Sequence, residues 1–455
     1  MKRYDCIILG GGTGGLRLAL ATAREGKHTL LIEHGAIGGT CLNTGCIPTK
    51  AMIEAAHRYH ELSELSSFGI TVDSPKVHIK KLLDRVQGIV KEGHDAILMG
   101  LSHSKLDVVR GKGYFIAKKT LQVGQHTYTA PKIVIATGAK NNIPPVEGLD
   151  KITYLTNENI LSLQALPKSI ILIGGGYISM EFATFFSFLG VKVTILESCK
   201  EILGMLDEDV IRFLVDEYEK KGIRIITSAA IHEVTFKHKK YTLAYSVSDG
   251  QQNNRKKNLV SDALFVATGR KPNTKNLRLE YTGVRIGSHG EIPTDQYMQT
   301  NVSGIYAMGD VTGRAMFAHA VKRESDIILH NLFHYQKKTM KFNLMPWAVF
   351  MDPVVAGIGL NEKQAQEKGI KYGILHARFH HVGRARVIGD QRGFVKILYN
   401  KQSHRIFGAT IVGPQADIII HEIIALMNSS NPSIDPLRKA IHIHPTLSEI
   451  MGDLR

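Results

Sequence analysis

Two cysteines at a short spacing are the residues of this sequence with the clearest redox chemistry. Cys41 and Cys46 lie five positions apart in the glycine-rich segment 38–50, and a helical pattern begins directly after it. Pro48 is tolerated only in the first turn of that helix, so Cys46 is predicted at or just before a helix N-terminus. There the helix dipole lowers the pKa of a thiol and favours the thiolate. The pair is therefore a candidate for reversible disulfide chemistry.

Elements that could position such a pair occur twice, as an internal repeat. Residues 4–33 and 168–197 each contain an apolar strand, a glycine cluster, a helical stretch, a second strand and a terminal glutamate. In both copies the first glycine and the terminal glutamate are 23 positions apart. One glycine-rich turn would be weak evidence, whereas two with matching spacing indicate a duplicated unit.

The glycines of each copy meet the requirements of a dinucleotide-binding strand–helix–strand unit. In the first copy Gly10 would make the tight turn out of the strand, and Gly12 would let the backbone approach a pyrophosphate. Gly15 would allow close packing of helix on strand, and the pyrophosphate would sit at the helix N-terminus. The corresponding residues of the second copy are Gly174, Gly176 and Ser179. Only the serine departs from the pattern.

Two dinucleotide sites in one chain are most simply explained by a tightly bound FAD and a diffusible NAD. Glu33 and Glu197, which end the two units, are expected to accept hydrogen bonds from adenosine ribose hydroxyls. A carboxylate repels the 2′-phosphate of NADP, so Glu197 predicts NAD in preference to NADP. Two later strand-like runs end in Ala-Thr-Gly and are expected to turn close to the cofactors. Their turn residues include Thr137, Gly138 and Gly269.

The composition is that of a globular protein with about three domains. The 455 residues are 44% hydrophobic, and no run approaches the ~20 apolar residues of a membrane span. The net charge of +16 is scattered and is not interleaved with aromatic residues, which argues against nucleic-acid binding as the main function. A strand-like run follows Met1 so closely that we expect no signal peptide, and hence a cytoplasmic protein. Cys6 and Cys199 are expected to be core or edge residues, and the histidines show no metal-ligand spacing.

The sequence also resembles a known family over essentially its whole length. The segment 38–50 is similar to the active-site motif of the pyridine nucleotide–disulfide oxidoreductases that carry a Cys-x4-Cys pair. That family includes dihydrolipoamide dehydrogenase, glutathione reductase and mercuric reductase. Three later segments resemble family motifs in the expected order. They are a second flavin motif at 305–310, a segment at the flavin ring at 317–320, and a C-terminal His-Pro-Thr-x-x-Glu signature within 442–449.

The resemblance implies a role for each matching residue. Cys46 would be the charge-transfer thiol nearer the flavin, and Cys41 would be the interchange thiol that reacts with the substrate. Lys50 would lie beside the flavin and pair with Glu181, and Tyr177 would gate the nicotinamide pocket. The implied flavin contacts are Thr40, Lys50, Thr137, Gly138, Asp310 through the ribityl chain, and Ala318 through its backbone.

The C-terminal motif has two interpretations. The resemblance implies that His444 is an acid–base group, oriented by Glu449 and contributed by the partner subunit of a homodimer. Thr446 and Glu449 also match a capping box, which would start a helix without any catalytic meaning. Glu449 is able to serve both purposes, and His442 is expected to be structural.

The predicted fold is α/β, with two Rossmann-like dinucleotide-binding domains, for FAD and NAD, and a C-terminal α+β dimerisation domain. The FAD-binding domain would be discontinuous and comprise 1–146 and 270–340. The NAD-binding domain, 147–269, would be inserted between its parts, and the interface domain would be 341–455.

The substrate is the least determined feature. Ile47 and the C-terminal motif are most similar to dihydrolipoamide dehydrogenase, which implies oxidation of dihydrolipoamide by NAD through FAD and the cysteine pair. A lipoyl domain of a 2-oxo acid dehydrogenase complex would then be a candidate partner. Thr44 and Thr49 depart from the commonest form of that enzyme. Two alternatives stay open: an NAD(P)H-dependent reductase of another disulfide or of a metal ion, and a nucleotide-binding sensor or DNA-binding protein without turnover.

Overall fold

The structure is a computed structural model that describes residues 1–102, 104–247 and 256–455. Up to residue 141 its helices are α1 Thr13–Arg24, α2 Gly39–Asn43, α3 Cys46–Glu64 and α4 Ile79–Ser102. The strands of this part are β1 Lys2–Arg3, β2 Cys6–Leu9, β3 Thr29–Glu33, β4 Leu106–Arg110, β5 Gly113–Ala117, β6 Thr120–Val123, β7 His126–Thr129, β8 Lys132–Ile135 and β9 Ala139–Asn141.

The middle of the chain contains two longer helices and eight strands among the described residues. The helices are α5 Tyr177–Phe188 and α6 Glu208–Lys220. The strands are β10 Ser169–Ile173, β11 Lys192–Leu196, β12 Arg224–Ile226, β13 Ala229–Lys237, β14 Lys240–Val247, β15 Lys257–Ser261, β16 Ala263–Val266 and β17 Arg270–Pro272.

The remainder has one further long helix before the C-terminal sheet. Its elements are β18 Ile305–Ala307, α7 Ala318–Phe333, β19 Trp347–Val349, β20 Val355–Gly359, α8 Glu362–Glu367, β21 Gly373–Arg378, α9 Gly383–Val387, β22 Phe394–Tyr399, β23 Ile406–Val412, α10 Ala416–Met427 and α11 Asp435–Lys439.

The first repeat unit lies at the centre of a five-stranded parallel sheet in the order β18-β8-β2-β3-β4. All residues of β2 and β3 are buried. This explains their continuous apolar sequences, because a parallel sheet covered on both faces has no polar side. Strand β18 comes from the later part of the chain, so residues from 1–146 and from 270–340 share one sheet.

The second repeat unit forms a parallel sheet of its own, in the order β12-β11-β10-β16. An antiparallel three-stranded sheet, β13-β14-β15, lies beside it. The chain enters and leaves this region through β9 and β17, which pair antiparallel with each other. This two-stranded connection lies next to the segment 142–145, which ends in two prolines.

The C-terminal region is an antiparallel sheet, β19-β20-β23-β22-β21, with helices packed on it. It has a core of its own, to which Ile397, Ile411 and Ile423 belong. The predicted fold class is therefore confirmed, as α/β with a C-terminal α+β region. The predicted domain boundaries stay predictions. Across the described ranges, no helix is both long and apolar enough to cross a membrane.

A fully buried lysine connects the C-terminal sheet to the second repeat region. Lys396 Nζ lies 2.7 Å from Asp207 Oδ2, 2.7 Å from Asp209 Oδ1 and 2.9 Å from Glu362 Oε1. These carboxylates are the one group of acidic, histidine or cysteine ligands that converges closely enough for a metal ion within the described residues. The ammonium of Lys396 is bound among them. The cluster is therefore an interdomain ion-pair network.

Replacing Lys396 with methionine should destabilise the protein by about 3–5 kcal/mol, because removal of one partner leaves the buried Asp207 carboxylate uncompensated. Urea unfolding followed by circular dichroism measures this loss. Lys192→Met, on an exposed position of β11, is the matched control and should change stability little. Equal stability of the two variants would contradict the role assigned to Lys396.

Candidate active site

The two cysteines lie on consecutive helices that meet at a glycine. Cys41 belongs to the short helix α2, and Cys46 is the first residue of α3. A Cβ atom on Gly45 would lie 2.8 Å from the carbonyl oxygen of Thr40, so only glycine allows this close turn. Pro48 is in the first turn of α3, as predicted. The sequence therefore places Cys46 at a helix N-terminus for local steric reasons.

The thiols of Cys41 and Cys46 are unbonded and interact with each other. The hydrogen bond with Cys46 lowers the pKa of Cys41 to about 6. The same interaction raises the pKa of Cys46. The hydrogen bond between the two thiols opposes the lowering of the Cys46 pKa that the helix N-terminus predicts, because the pair shares one proton. At neutral pH the pair therefore carries one proton and one thiolate.

An ion pair joins the redox helix to the second repeat unit, as the resemblance implied. Lys50 Nζ lies 2.7 Å and 2.8 Å from the two carboxylate oxygens of Glu181 on α5. Glu181 is 3% exposed, and its Oε1 also accepts a hydrogen bond from the Phe350 backbone N–H at 3.1 Å. The ammonium of Lys50 lies 4.8 Å from the Phe350 ring. No sequence motif marks Phe350, so its contact with this ion pair was not predicted.

The glycines of the two repeat units have matching geometry. Gly10 and Gly174 have φ angles of 113° and 105°, and a Cβ atom on either would lie 2.3–2.4 Å from a carbonyl oxygen of the neighbouring strand end. A Cβ atom on Gly15 would lie 1.9 Å from the Gly10 oxygen. By contrast, a Cβ atom on Gly176 would have open space around it. The third position, Ser179, is fully buried and accommodates its hydroxyl without a hydrogen bond in the described structure.

The terminal glutamates bind the glycine turns of their own units. Glu33 Oε2 accepts the Gly11 N–H at 2.6 Å, and Glu197 Oε2 accepts the N–H of Gly175. Glu197 Oε1 also accepts the N–H of Cys199 at 2.7 Å. Each carboxylate therefore holds the second strand end against the turn. Their predicted contacts with ribose hydroxyls stay predictions, for which the remaining lone pairs are available.

A buried cation that no sequence motif marks lies beside the second flavin motif. Arg270 Nε is 3.6 Å from Asp310 Oδ2, and its Nη2 donates to the Ala139 carbonyl at 2.5 Å. Nη2 is also 3.4 Å from the hydroxyl of Thr40. Burial raises the pKa of Asp310, and Arg270 opposes that effect. Within the described structure the buried Arg270 Nε lacks a hydrogen-bond partner, so a further acceptor would fit here.

The remaining predicted cofactor contacts lie at turns after strands and at the first residues of helices. Thr137 Oγ1 donates a hydrogen bond to the Asn273 carbonyl at 2.9 Å. This bond joins the segment before β9 to the segment after β17, the two connections between the parallel sheets. Gly138 and Gly269, with φ angles of 66° and 94°, make the turns after β8 and β16. Ala318 is the first residue of α7. Tyr177 begins α5 and is 37% exposed, so its ring is accessible for contact with a ligand.

The C-terminal motif forms a hydrogen-bonded pair. His444 Nδ1 lies 2.8 Å from Glu449 Oε1, and Glu449 Oε2 accepts the Thr446 N–H at 2.9 Å. The capping box and the orienting contact are therefore both present, one on each carboxylate oxygen. His444 is exposed, and its hydrogen bond lowers the pKa of Glu449. His442 is largely buried and lies 3.2 Å from Glu422, which suits the structural role expected for it.

Comparison with known families decides the class of this site. Residues 4–325 match the family described as pyridine nucleotide-disulphide oxidoreductase, and residues 345–455 match the dimerisation domain of the same family. The chain belongs to the pyridine nucleotide-disulphide oxidoreductases. It therefore carries a dimerisation domain after its two dinucleotide-binding regions.

Named relatives of this pyridine nucleotide-disulphide oxidoreductase differ in their substrates. The chain is 32% identical over 456 residues to the dihydrolipoyl dehydrogenase of Geobacillus stearothermophilus. That alignment covers 98% of this chain and 94% of the relative. It is 31% identical over 420 residues to the mercuric reductase of Staphylococcus aureus. That alignment covers 92% of this chain and 76% of the relative. Among solved structures, the Cu(II) complex of the HOCl-induced flavoprotein disulfide reductase RclA from Escherichia coli superimposes on this chain with a TM-score of 0.88 at 28% sequence identity. The superposition covers 100% of this chain and 99% of that one.

As a pyridine nucleotide-disulphide oxidoreductase, the chain is an enzyme that uses FAD and NAD(P)H. Its own residues fit FAD. The glycine turn after β2 leaves the backbone of Gly12 open, with no Cβ contact closer than 3.9 Å. The buried Arg270 Nε and the neighbouring Asp310 offer a donor and an acceptor to a polar ligand.

In the enzyme reduced with NADH, alkylation of Cys41 by iodoacetamide should rise with pH around a midpoint near 6. The thiolate is the nucleophile, and the pKa of Cys41 is lowered to about 6. At pH 7 Cys41 should react faster than Cys199, whose pKa is raised by its hydrogen bond to Glu197. Peptide mapping by mass spectrometry gives both rates. A midpoint at the ordinary cysteine value of about 8.5 would contradict the single shared proton.

Proposed function

We propose that this flavoprotein disulfide reductase oxidises dihydrolipoamide to lipoamide with NAD as the electron acceptor. The observation that supports this choice is the hydrogen bond of 2.8 Å between His444 and Glu449. A dithiol substrate must lose protons before it can attack a disulfide, since its thiols are largely protonated at neutral pH. An exposed imidazole that is oriented by a carboxylate is suited to accept them.

The protein residues account for the disulfide exchange. His444 accepts a proton through Nε2 from one substrate thiol, while Glu449 holds Nδ1. The substrate thiolate attacks the Cys41 sulfur of the Cys41–Cys46 disulfide, and Cys46 leaves as a thiolate. The second substrate thiol then displaces Cys41 from the mixed disulfide, so lipoamide is released and both cysteines are reduced. When bound, FAD carries the two electrons from the dithiol to NAD.

NAD is the proposed acceptor because Glu197 ends the second unit with a carboxylate. Its neighbours in the chain are Ser198 and Cys199, and its Oε1 accepts hydrogen bonds from both, at 3.0 Å and 2.7 Å. A 2′-phosphate at this position would face a negative charge. The relatives named dihydrolipoyl dehydrogenase support the substrate, and a lipoyl domain is the proposed macromolecular carrier.

Reduction of a metal ion is a second candidate. The relatives include a mercuric reductase and an RclA structure described as a Cu(II) complex. In this chain, two adjacent thiols, one of them on the exposed residue Cys46, could bind a soft metal ion. Such a reaction does not require a general base for a dithiol. The contribution of His444 to turnover therefore separates the two candidates.

Dihydrolipoamide should be turned over with NAD, and NADP should be used less efficiently. His444→Ala should lower kcat/KM for dihydrolipoamide by about 10²–10⁴-fold. The variant should still reduce its flavin with NADH, because that step needs no proton from the substrate. Stopped-flow and steady-state assays with dihydrolipoamide, glutathione disulfide, Hg(II), Cu(II) and oxygen test this. Brisk reduction of a metal ion or glutathione disulfide beside negligible turnover of dihydrolipoamide would overturn the proposal.

We further propose that His444 acts on the cysteines of a second subunit. The match of 345–455 to a dimerisation domain supports a homodimer. The segment around His444 also exposes two large apolar side chains to solvent: Ile441 is 99% exposed and Ile443 is 78% exposed. Residues of this kind at a surface indicate a protein contact.

Co-expression of Cys46→Ser with His444→Ala chains should restore activity in mixed dimers, because one of the two sites then has all its residues intact. Purification through two different tags isolates the mixed dimer for assay. Each variant expressed alone is the control and should be nearly inactive. Mixed dimers that form but show no activity would exclude a site shared between subunits.

A further inference from the structure

An apolar pocket with a volume of about 360 Å³ opens beside Cys41. Leu16 and Leu20 of α1, Leu42 of α2 and Ile97 of α4 form much of its wall. Two charged side chains also line it, and both are arginines, Arg17 and Arg24. A ligand would thus reach the Cys41 sulfur along an apolar wall that carries positive charge.

Helix α1 orders these charges by their distance from the sulfur. Thr13, Arg17 and Arg24 are at positions i, i+4 and i+11, which lie on one face of an α-helix. Thr13 is at the Cys41 end, since its side chain contacts that thiol. With a rise of 1.5 Å per residue, Arg17 and Arg24 lie about 6 Å and about 16 Å further along the axis.

The charges around this pocket do not cancel. Arg17 donates through Nε and Nη2 to the same oxygen of Asp326, at 3.2 Å and 2.8 Å. Arg24 is exposed, and none of the ion pairs found among the described residues includes it. Lys322 on α7 adds a further positive charge that acts on Cys41. Asp326 is thus matched by Arg17, which leaves Arg24 and Lys322 in excess.

We propose that this pocket selects a dithiol or disulfide substrate that carries a carboxylate, and that Arg24 is the residue that recognises the charge. The inference rests on the proposed function and narrows its substrate class. A dithiol acid with a short alkyl chain would place its thiols at Cys41 and its alkyl chain against the leucine side chains of the pocket wall. Its carboxylate would then lie between Arg17 and Arg24 along the axis of α1. The arginine fork is well suited to bind a carboxylate.

A position in the last turn of a helix also favours a cation, so Arg24 has a structural explanation as well. The experiment must therefore measure charge selectivity and not only activity or stability. Dihydrolipoate and dihydrolipoamide provide the comparison, because they share the dithiol and the alkyl chain and differ by one negative charge.

The ratio of kcat/KM for dihydrolipoate to that for dihydrolipoamide should exceed one at low salt. It should fall by about three- to tenfold in Arg24→Gln, as expected for the loss of one charge near a partly shielded site. Added salt should have the same effect on the wild type. Lys27→Gln is the matched control: it removes the same charge close by in the chain, but Lys27 lies over the Phe333 ring at 5.2 Å. The ratio should not change in that variant.

A second measurement keeps the inference testable if neither dithiol is a substrate. In NADH-reduced enzyme, Cys41 can be alkylated by iodoacetate, which is anionic, or by iodoacetamide, which is neutral. The ratio of the two rates should fall by about three- to tenfold in Arg24→Gln and stay constant in Lys27→Gln. If this holds while both dithiols are inert, the proposed function fails and the anion-selective pocket stands. If neither ratio depends on Arg24, the inference is wrong.

Discussion

Glu181 is almost fully buried, and a carboxylate in such a position needs a cation and further donors to remain charged. Lys50 from the redox helix supplies the cation, and the backbone N–H of Phe350 supplies another donor. Three parts of the chain therefore meet at one side chain: the cysteine-bearing helix, the second dinucleotide unit and the start of the C-terminal sheet. The position of Cys46 relative to the second unit depends on this contact, because Lys50 lies one turn further along α3.

Other charged contacts connect the second unit to the C-terminal sheet. Lys396 Nζ lies 2.7 Å from Asp207 Oδ2, and Lys221 Nζ lies 2.8 Å from Asp352 Oδ1. The cores on either side of these contacts are held by apolar contacts, which have no preferred direction. Charged groups with few allowed geometries are therefore the groups that determine the relative positions of the domains, since each must keep its own partner once it is buried.

The two dinucleotide units are nearly equivalent in geometry, and their surroundings distinguish them. Both use a positive-φ glycine after the first strand and a glutamate bound to the turn. Arg270 and Asp310 lie near the first unit, whereas Tyr177 begins the helix of the second. A duplicated binding unit thus acquires two different uses through side chains that are not among the glycines and glutamates common to both copies.

The sequence by itself determined the duplicated unit, the position of Cys46 on a helix and the capping box of Thr446 and Glu449, whereas the contact between His444 and Glu449 was implied by the family resemblance. Each depends on steric rules or hydrogen bonds within a few residues, or on a spacing that repeats. Only the tertiary structure decided that the two thiols lie close enough to share one proton through a hydrogen bond. It also revealed Arg270, Phe350 and Lys396. Their roles arise from burial and from partners distant in sequence, and these have no local signature.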